Sequence, residues 1–534
     1  MTPSPLGWVI VVLVVCLVVV LVTVNTYLLI KWQHPEDSNE WMSSKVVIVF
    51  GLTIVELVVS GLPLDVANGS GSLGCSYEWG DDSGCARLDM EGYWYAVFGL
   101  GLVWLIACIP ASLLAYEAVD EHRPWCEAVR TELVIVLGFG VLAGCMYAFL
   151  NQFVIPFREY SVSAASTGRI YRVSNVTGGV LAAMGPLEDG YTASWDEAGA
   201  RLPATFFAYV TGVASWIGWV LFSAWGGVGL AALPLDLIYS YVHRPVPLDA
   251  GEVAEYRLQL QARTSELLEI TKALITDRED VRRSGGWWRK RKRNAADRLR
   301  LNKLKQMVFM LETDIDDFVL CSTDRDKYEP LVYVGRLIAG IVALVHSLLW
   351  ILHTILYVLV SPPASPFLNA YLLQFDKWYP LFGALACAVF SVYLLFATIK
   401  GCFKFGMRFF LLDLHPMKYN ATYTNHALFN VALFIICSFP VAQFSTLAFA
   451  EYARFSDAAT IFYTIENLTF FRIFFANRVF EYLLVICAAL SAVYLILCPR
   501  DEPASAAKLK ASLLHHQALQ ALNSPSYYPP HNSL

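Results

Sequence analysis

The sequence predicts an all-α, polytopic membrane protein of about nine transmembrane helices that carries a cytosolic, coiled-coil-like helical hairpin. Three observations lead to this fold class. Of the 534 residues, 57% are hydrophobic and only 16% are charged, whereas soluble domains average about 45–50% and about 25%. The apolar residues come in long blocks, and the longest polar insert repeats its apolar residues with a heptad period.

Nine apolar blocks are long enough to cross a bilayer, since a helix needs about 20 mostly apolar residues to span a hydrocarbon core of roughly 30 Å. The first block is too long for the apolar part of a signal peptide. It also lacks a basic start and a small-residue cleavage site, so we expect it to remain as a transmembrane helix. The predicted spans are approximately 7–30, 46–66, 93–116, 132–155, 205–233, 337–360, 380–399, 429–450 and 479–498.

Basic residues orient these spans. The insert after the fifth span contains RRSGGWWRKRKRNAADRLR (282–300), which has nine basic residues and one acid, and KGCFKFGMR (400–408) follows the seventh span. Lys and Arg are enriched in cytoplasmic loops, so the N-terminus is predicted to be lumenal or extracellular and the C-terminus cytosolic. The predicted regions are spans one to five (1–233, with lumenal loops 67–92 and 156–204), the cytosolic hairpin (234–336), spans six to nine (337–498) and a largely disordered cytosolic tail (499–534).

The predicted lumenal loops contain sites for modification. Cys75 and Cys85 share the first loop, where a disulfide can persist. A sequon at Asn420 falls on the cytosolic side and is expected to stay unmodified. Three further sequons fall in non-cytosolic loops and are candidates for N-glycosylation, at Asn68, Asn175 and Asn467.

Apolar residues in the cytosolic insert form two helical seams. The first repeats every seven residues, and the second, after a Ser-Gly-Gly break, follows spacings of three and four, as coiled-coil a and d positions do. Two such helices joined by a glycine-containing turn predict an antiparallel hairpin. The seams are Val253, Leu260, Leu267, Leu274 and Val281, and Leu301, Leu304, Val308, Leu311, Ile315 and Phe318.

The basic tip of this hairpin, residues 282–300, has two interpretations. One is a contact with anionic lipid or a protein partner. The other, which we favour, is a solvated loop that only sets topology. Nucleic acid is not expected as a partner of a polytopic protein. The residues of the contact interpretation are Trp287, Trp288, Arg289, Lys290, Arg291, Lys292 and Arg293.

Ionisable residues inside predicted spans are candidates for function, because charge is costly in the bilayer. Glu56 lies midway along the second span, either as a proton or cation relay or as a neutral, hydrogen-bonded acid. His346 and His353 lie seven residues apart on one face of the sixth span. For the two histidines, a hydrogen bond across helices is favoured over a functional role.

The tetrapeptide Leu-Pro-Leu-Asp closes two spans, with Pro63 and Asp65 in the second and Pro234 and Asp236 in the fifth. The predicted topology puts them on opposite membrane faces, about 30 Å apart, which argues against a shared acidic site. Each motif is instead interpreted as a helix end, where proline stops or kinks the helix and aspartate meets water. The GGVGLAA run before the second motif predicts close helix packing or a helix break.

Motifs for catalysis do not occur in a credible context anywhere in the sequence. This holds for phosphate-binding loops, paired metal motifs, nucleophile elbows and dinucleotide fingerprints. The sequence therefore predicts neither an enzyme nor a cofactor.

Several segments together resemble the LIMR (limb-region) family of membrane proteins. The similar region runs from about Tyr27 to Ala453. Its segments are YLLIKWQHPEDSNEWMSSKVVIVFGLTIVELVVSGLPLDVAN, GGVGLAALPLDLI, SPPASPFLNAYL and LDLHPMKYNATYTNHALFNVALFIICSFPVAQFSTLAFAEYA. The chain is most similar to the branch that holds the lysosomal cobalamin transport escort protein and the plant LIMR family proteins. This resemblance implies a nine-helix membrane protein with a large cytosolic loop.

The resemblance also implies a function in lysosomal or endosomal membranes. The leading hypothesis is assistance to transport, with cobalamin export through an ABC-type partner transporter. A second hypothesis is a plasma-membrane receptor for endocytosis of a lipocalin-like ligand. The loop 156–204 is the best ligand-binding surface for it, although it is short for a dedicated ligand domain. A third is autonomous secondary transport with Glu56 as the coupling residue.

Overall fold

The computed structural model describes residues 5–34, 42–69, 89–120, 125–164, 191–242, 250–283, 330–379, 382–405 and 422–497, with single positions between 307 and 319. Several predictions concern residues outside these ranges, and the structure does not test them. They are the disulfide candidates Cys75 and Cys85, the sequons at Asn175 and Asn420, residues 284–300 of the basic tip and the tail 499–534.

Nine helices within the described ranges are long and apolar enough to cross a membrane, which confirms the predicted fold class. The helices are α1 (Pro5–Trp32), α2 (Met42–Gly69), α3 (Met90–Val103), α4 (Ile109–Asp120), α5 (Trp125–Leu150), α6 (Phe206–Val242), α7 (Ala250–Arg283), α8 (Pro330–His353), α9 (Phe367–Trp378), α10 (Phe382–Phe405), α11 (Thr424–Ala448), α12 (Asp457–Glu466), α13 (Arg472–Ala476) and α14 (Val479–Leu497). A π-helical turn, Trp104–Cys108, joins α3 and α4 into one span, and another, Thr354–Leu359, continues α8. The helices α7, α9, α12 and α13 are too polar or too short to be spans.

The chain divides into two compact units, residues 1–230 with 348–490 and residues 231–347 with 491–534. In the first unit α11 is central, because 19 of its 25 residues are buried and it packs along α2. A helix that is buried on every side has no polar face. A buried polar side chain of α11, such as that of Gln443, can therefore find a hydrogen-bond partner only inside the protein.

Helices α6 and α10 cross with their backbones in contact. A Cβ atom on Gly229 would overlap the carbonyl of Ala397, and a Cβ atom on Gly401 would overlap the carbonyl of Trp225. Small residues permit this approach in membranes. Since α6 continues unbroken through the GGVGLAA run, this run packs closely and does not break the helix.

The Leu-Pro-Leu-Asp motifs do not end their helices, so the predicted helix ends are wrong at both places. The alternative, a kink at each proline, stays a prediction. Pro63 lies inside α2 and Pro234 lies inside α6. Proline removes a single backbone donor, whereas ending a helix in the membrane would leave several backbone groups unpaired. The helix therefore resumes beyond each proline.

The loop after the fourth span contains a two-stranded antiparallel sheet that the helical pattern did not predict. Strand β1 (Gln152–Ala164) pairs with β2 (Tyr191–Pro203), with Gln152 opposite Pro203 and Ala164 opposite Tyr191. We call this sheet the β-ribbon. The Phe-Val-Ile-Pro-Phe run at its root is rich in strand-favouring residues, and α5 accordingly ends before it, at Leu150.

The second unit contains α7, the first arm of the predicted hairpin. Tyr256 and Leu260 of α7 are buried, and so is Leu311 of the following segment. Arg263 Nη1 lies 2.8 Å from Asp314 Oδ2. Arg263 precedes the predicted tip and Asp314 follows it, as a pair between two antiparallel arms would. The coiled coil itself stays a prediction.

Candidate functional site

Residues 449–478, which connect α11 to α14, form what we call the cap segment. It contains α12 and α13 and is rich in aromatic residues (FAEYARFSDAATIFYTIENLTFFRIFFANR). Ser456 begins α12 as its N-cap by accepting a hydrogen bond from the Ala459 N–H at 3.3 Å. The root of the β-ribbon joins the cap segment, because the Val154 N–H donates to the Asn467 carbonyl at 2.9 Å. The predicted topology puts the cap segment on the non-cytosolic side.

Asp65 holds the start of α12. Its carboxylate accepts hydrogen bonds from the backbone N–H groups of Asp457 at 3.2 Å and Ala458 at 2.8 Å. A helix N-terminus leaves such N–H groups unpaired and favours an anion. The same carboxylate accepts from Trp94 Nε1 at 2.8 Å. Asp65 is only 1% exposed, so the expectation that it meets water is wrong, because three protein donors replace the water.

Aromatic rings pack around this contact. The Trp94 ring lies 5.2 Å from that of Phe98 and 5.8 Å from that of Phe462, centre to centre. Edge-to-face and tilted pairs at such distances contribute about 0.5–1.5 kcal/mol each beyond area burial. Apolar packing and the carboxylate together attach α12 to α2 and α3.

Gln443 links the cap segment to α6. Its Oε1 accepts hydrogen bonds from Ser215 Oγ at 2.7 Å and from Trp219 Nε1 at 2.9 Å. Its Nε2 donates to Glu466 Oε1 at 3.1 Å. Because an indole N–H only donates, the amide orientation follows from Trp219. Gln443 thus carries a hydrogen-bonded chain from α6 through α11 to α12.

Two glutamates and one arginine lie at the end of this chain. Burial raises the pKa of the Glu466 carboxyl from 4.5 to about 7, although the hydrogen bond from Gln443 and the charge of Arg478 act to lower it. Arg478 Nη1 lies 3.4 Å from Oε1 of the fully buried Glu481. Two carboxylates therefore share one guanidinium, and the cluster is neutral when one carboxylate holds a proton.

The backbone at Arg478 is in the left-handed region, with φ at 53°. For a residue other than glycine this conformation costs about 1–2 kcal/mol. Such strain persists where the surroundings over-determine it. Here the residue that ends the cap segment is also the one whose guanidinium interacts with both Glu466 and Glu481.

Glu466 predicts a pH dependence of stability. A carboxyl whose pKa rises from 4.5 to about 7 on folding binds its proton more tightly in the folded state. Its full stabilising contribution is present below pH 4.5 and is lost as the pH rises to about 7. Because the side chain is partly exposed, we expect a loss of only about 2 kcal/mol. Thermal unfolding of the purified protein between pH 5 and pH 7.5 measures it.

Glu466→Gln is the matched variant for this titration, since an amide keeps the acceptor for Gln443 but carries no proton to lose. We expect this variant to be more stable than the wild type at pH 7.5 and to lose most of the pH dependence. Glu451→Gln, at an exposed position of the same segment, should retain it. An unchanged pH profile in Glu466→Gln would assign the titration to another group.

A second polar cluster closes the C-terminal end of α11. The carbonyl of Ala448, near a helix end, accepts hydrogen bonds from His353 Nε2 at 2.9 Å and from Asn369 Nδ2 at 3.1 Å. Because a carbonyl only accepts, the proton of His353 lies on Nε2. The Tyr452 N–H donates to Asn369 Oδ1 at 3.3 Å. This cluster ties α8 and α9 to α11 and the cap segment.

Asp376 extends the second cluster to the start of α10. Its carboxylate accepts hydrogen bonds from the Gly383 N–H and from the Tyr452 hydroxyl, each at 2.7 Å. Burial, followed by this bond to a carboxylate, raises the pKa of Tyr452 above its ordinary value. The tyrosine therefore remains a donor at physiological pH.

The predicted intramembrane residues fall in different places. Glu56 accepts a hydrogen bond at 2.9 Å from Asn25 Nδ2, which also lies 3.2 Å from Thr53 Oγ1. His353 belongs to the second cluster, whereas His346 Nδ1 lies 2.9 Å from the Val342 carbonyl of its own helix. Glu56 thus links α1 to α2, and its relay role stays a prediction.

The remaining sequence candidates are dispersed. Asp236 is half-buried in α6, and Asn68 lies in the last turn of α2. Asn467 follows α12 and donates through Nδ2 to the Tyr463 carbonyl at 2.9 Å. Glycosylation of Asn68 and Asn467 stays a prediction.

Sequence reasoning missed Gln443, Glu466, Arg478 and Glu481. A hydropathy window averages over about 20 residues, and single polar residues vanish in that average. One signal was available, since charged residues interrupt an otherwise aromatic run in ENLTFFRIFFANRVFE (466–481). Intramembrane and near-membrane charges of this kind are functional candidates.

Among the described residues, no group of three or more His, Cys, Asp or Glu side chains could hold a metal ion. The two clusters offer buried hydrogen bonds and one carboxyl that exchanges its proton near neutral pH. Chemically, the site can therefore hold or release a proton and can attach the cap segment to the helix ends.

Comparisons with known proteins yield one family and several relatives. The sequence profile described as "LMBR1-like membrane protein" matches residues 9–305 and 239–496. The chain is 32% identical over 499 residues to a LIMR family protein of Arabidopsis thaliana, covering 92% of this chain and 96% of the relative. A LIMR family protein of Oryza sativa subsp. japonica is 32% identical over 501 residues (91% and 95% covered), and one of Dictyostelium discoideum is 29% identical over 512 residues (90% and 95%). No solved structure matches the chain.

Proposed function

Because the chain belongs to the LMBR1-like family of membrane proteins, we propose that it is a non-enzymatic scaffold that assists transport across a lysosomal or endosomal membrane. The specific process that we propose is cobalamin export through an ABC-type partner transporter. The support for cobalamin is the resemblance of the quoted segments to the branch that holds the cobalamin transport escort protein. The relatives compared above carry only the family name.

The observation that carries the scaffold proposal is that hydrogen bonds and close helix contacts hold the elements of the first unit together. The cap segment is hydrogen-bonded to Asp65 of α2, to Gln443 of α11 and to Asn369 of α9. Helices α6 and α10 touch through their backbones. A secondary transporter works by rocking one bundle of helices against another. These hydrogen bonds and backbone contacts oppose a rocking motion of the helices. A scaffold needs no such motion, and the same contacts stabilise its structure.

The titration of Glu466 supports an acidic compartment. With the pKa of Glu466 raised to about 7, we expect the folded protein to gain stability as the pH falls from about 7 to 4.5. On the predicted topology the cap segment faces the lumen, which is acidic in lysosomes and endosomes. The basic tip is the proposed cytosolic contact, with anionic lipid or a partner protein.

An endocytic receptor for a lipocalin-like ligand is the second candidate, favoured by the β-ribbon. Each of its strands has 13 residues, and an exposed strand edge can add to a sheet of a partner. This alternative requires a plasma-membrane pool. Surface biotinylation combined with ligand uptake separates the two candidates, because an absent surface pool removes the receptor.

Deletion of the gene in an organism that takes up the vitamin tests the proposal. We expect cobalamin to accumulate in lysosomes and to return to the wild-type amount after re-expression of the protein. An unchanged amount of cobalamin in lysosomes after the deletion would contradict the proposal. Free cobalamin in purified lysosomes is the measurement.

Reconstitution separates the scaffold from an autonomous transporter. The purified protein in liposomes should move no cobalamin under a pH gradient, in the wild type and in Glu56→Gln alike. Uptake by the protein alone that disappears in Glu56→Gln would instead establish secondary transport with Glu56 as the coupling residue.

A further inference from the structure

An apolar slot of about 200 Å³ lies between the α3–α4 span, α5, α6 and α11. All eleven side chains that line it are apolar, and Leu105 and Ile106 come from the π-helical turn. A water molecule occupies about 30 Å³ of liquid, and a cavity without polar partners stays dry. The slot is therefore suited to hydrocarbon.

The slot opens sideways toward the surroundings of the bundle. Ile135 on α5 and Ile217 on α6 line it and are still 45% and 44% exposed. In a bilayer these side chains face lipid. An acyl chain can consequently enter the slot from the membrane without crossing water.

Glu132 lies one helical turn before Ile135, which lines the slot. It precedes Ile135 by three residues and Phe139 by seven, so the three side chains share one face of α5. Both carboxylate oxygens are shielded and have no hydrogen-bond partner in the part of the chain that the structure describes. The Cys108 thiol of the π-helical turn is within electrostatic reach.

The depths of Glu132 and of the slot in the membrane suit an amphiphile with a polar head and an apolar chain. The apolar span of α5 begins at Arg130, so Glu132 lies at the polar boundary and the slot lies deeper. A shielded carboxylate without a hydrogen-bond partner is unfavourable. A protonated amine would supply both the opposite charge and the missing N–H donors, in short charge-assisted hydrogen bonds.

We propose that this slot binds a bilayer amphiphile that carries a protonated amine, with its hydrocarbon chain between α5 and α6 and its ammonium on Glu132. The apolar lining contributes affinity for any chain of suitable length. The carboxylate distinguishes the amine from neutral and anionic amphiphiles. Neither the cap segment nor the polar clusters take part.

Native mass spectrometry of the full-length protein in nonionic detergent tests this site. The probes are octadecylamine, octadecanol and octadecanoate at equal concentrations. We expect at least about tenfold more amine adduct than alcohol adduct, in line with one charge-assisted contact. Equal adducts from the three probes would overturn the proposal.

Substitutions locate the contact. Glu132→Gln should reduce the amine adduct to the alcohol amount, and Glu132→Lys should invert the preference toward octadecanoate. Val213→Trp, which fills the slot, should remove all adducts. Glu451→Gln, remote in sequence and exposed, should change nothing.

The thermal unfolding midpoint of each variant, measured without probe, shows whether the variant is folded. A folded Glu132→Gln protein that still prefers the amine would place the ammonium elsewhere. If Val213→Trp does not fold, Ile217→Trp fills the same slot from the rim. Undiminished adducts in a folded slot-filled variant would also refute the site.

Discussion

Replacing Gly229 by alanine should destabilise the protein by about 3 kcal/mol or more, the upper range for overpacking. The added Cβ would overlap the backbone carbonyl of Ala397, and the facing Gly401 allows no retreat. Backbone cannot change rotamer as a side chain can, so the two helices must separate along their length. The midpoint of thermal aggregation, followed by size-exclusion chromatography in detergent, measures this loss.

Gly140→Ala is the matched control, because a Cβ there meets nothing within 4 Å. Helix propensity alone favours alanine over glycine by up to about 1 kcal/mol. We therefore expect this variant to be as stable as the wild type or slightly more stable. Equal destabilisation of the two variants would show that the crossing of α6 and α10 is not tight.

Replacing Asp65 by alanine should also cost about 3 kcal/mol or more, because three buried donors lose their acceptor at about 1–3 kcal/mol each. The donors are the indole of Trp94 and the N–H groups of Asp457 and Ala458. We expect a lower thermal midpoint and faster proteolysis within the cap segment. Asp65→Asn should lose less, since its amide keeps one acceptor.

The second Leu-Pro-Leu-Asp motif provides the control within the same chain. Asp236 stands in the same tetrapeptide but is half-buried. Asp236→Ala should therefore cost clearly less than Asp65→Ala and should leave proteolysis of the cap segment unchanged. Equal losses would mean that Asp65 matters as part of its own helix and not as the acceptor for α12.

The Gly229→Ala and Asp65→Ala variants test two separate contacts of the first unit. Gly229 tests the contact between helices in the membrane, and Asp65 tests the attachment of the cap segment. If the scaffold proposal holds, Asp65→Ala should weaken support of cobalamin export in cells at temperatures where the protein remains folded. The pH profile of Glu466 reports on the same attachment without breaking it.

Much of the fold was predictable because the bilayer constrains it strongly. Every backbone N–H and C=O group in hydrocarbon must be hydrogen-bonded within the chain. An apolar block of about 20 residues is therefore expected to form a membrane-spanning helix. All nine spans follow from this rule. Gly229 also belongs to this class, since a run of small residues predicts close packing before its partner helix is known.

The site was less predictable, because its residues are distant in sequence. Asp65 contacts Ala458 across 393 positions, and Gln443 bonds to Ser215 across 228. Asp65 was noticed for its motif and was expected at water. Only the neighbouring α12, with its unpaired N–H groups, turns that aspartate into a buried cap.

By itself, the sequence determined the class of protein, the number of spans and the membrane family, because these depend on composition and on local periods. The tertiary structure decided which polar residues act together. It joined Asp65 and Gln443 to the cap segment, in which Glu466 lies. Among the described residues, it left both carboxylate oxygens of Glu132 without a hydrogen-bond partner. The physical reason is that the cost of a buried polar group depends on what faces it, and what faces it is set by packing between distant segments.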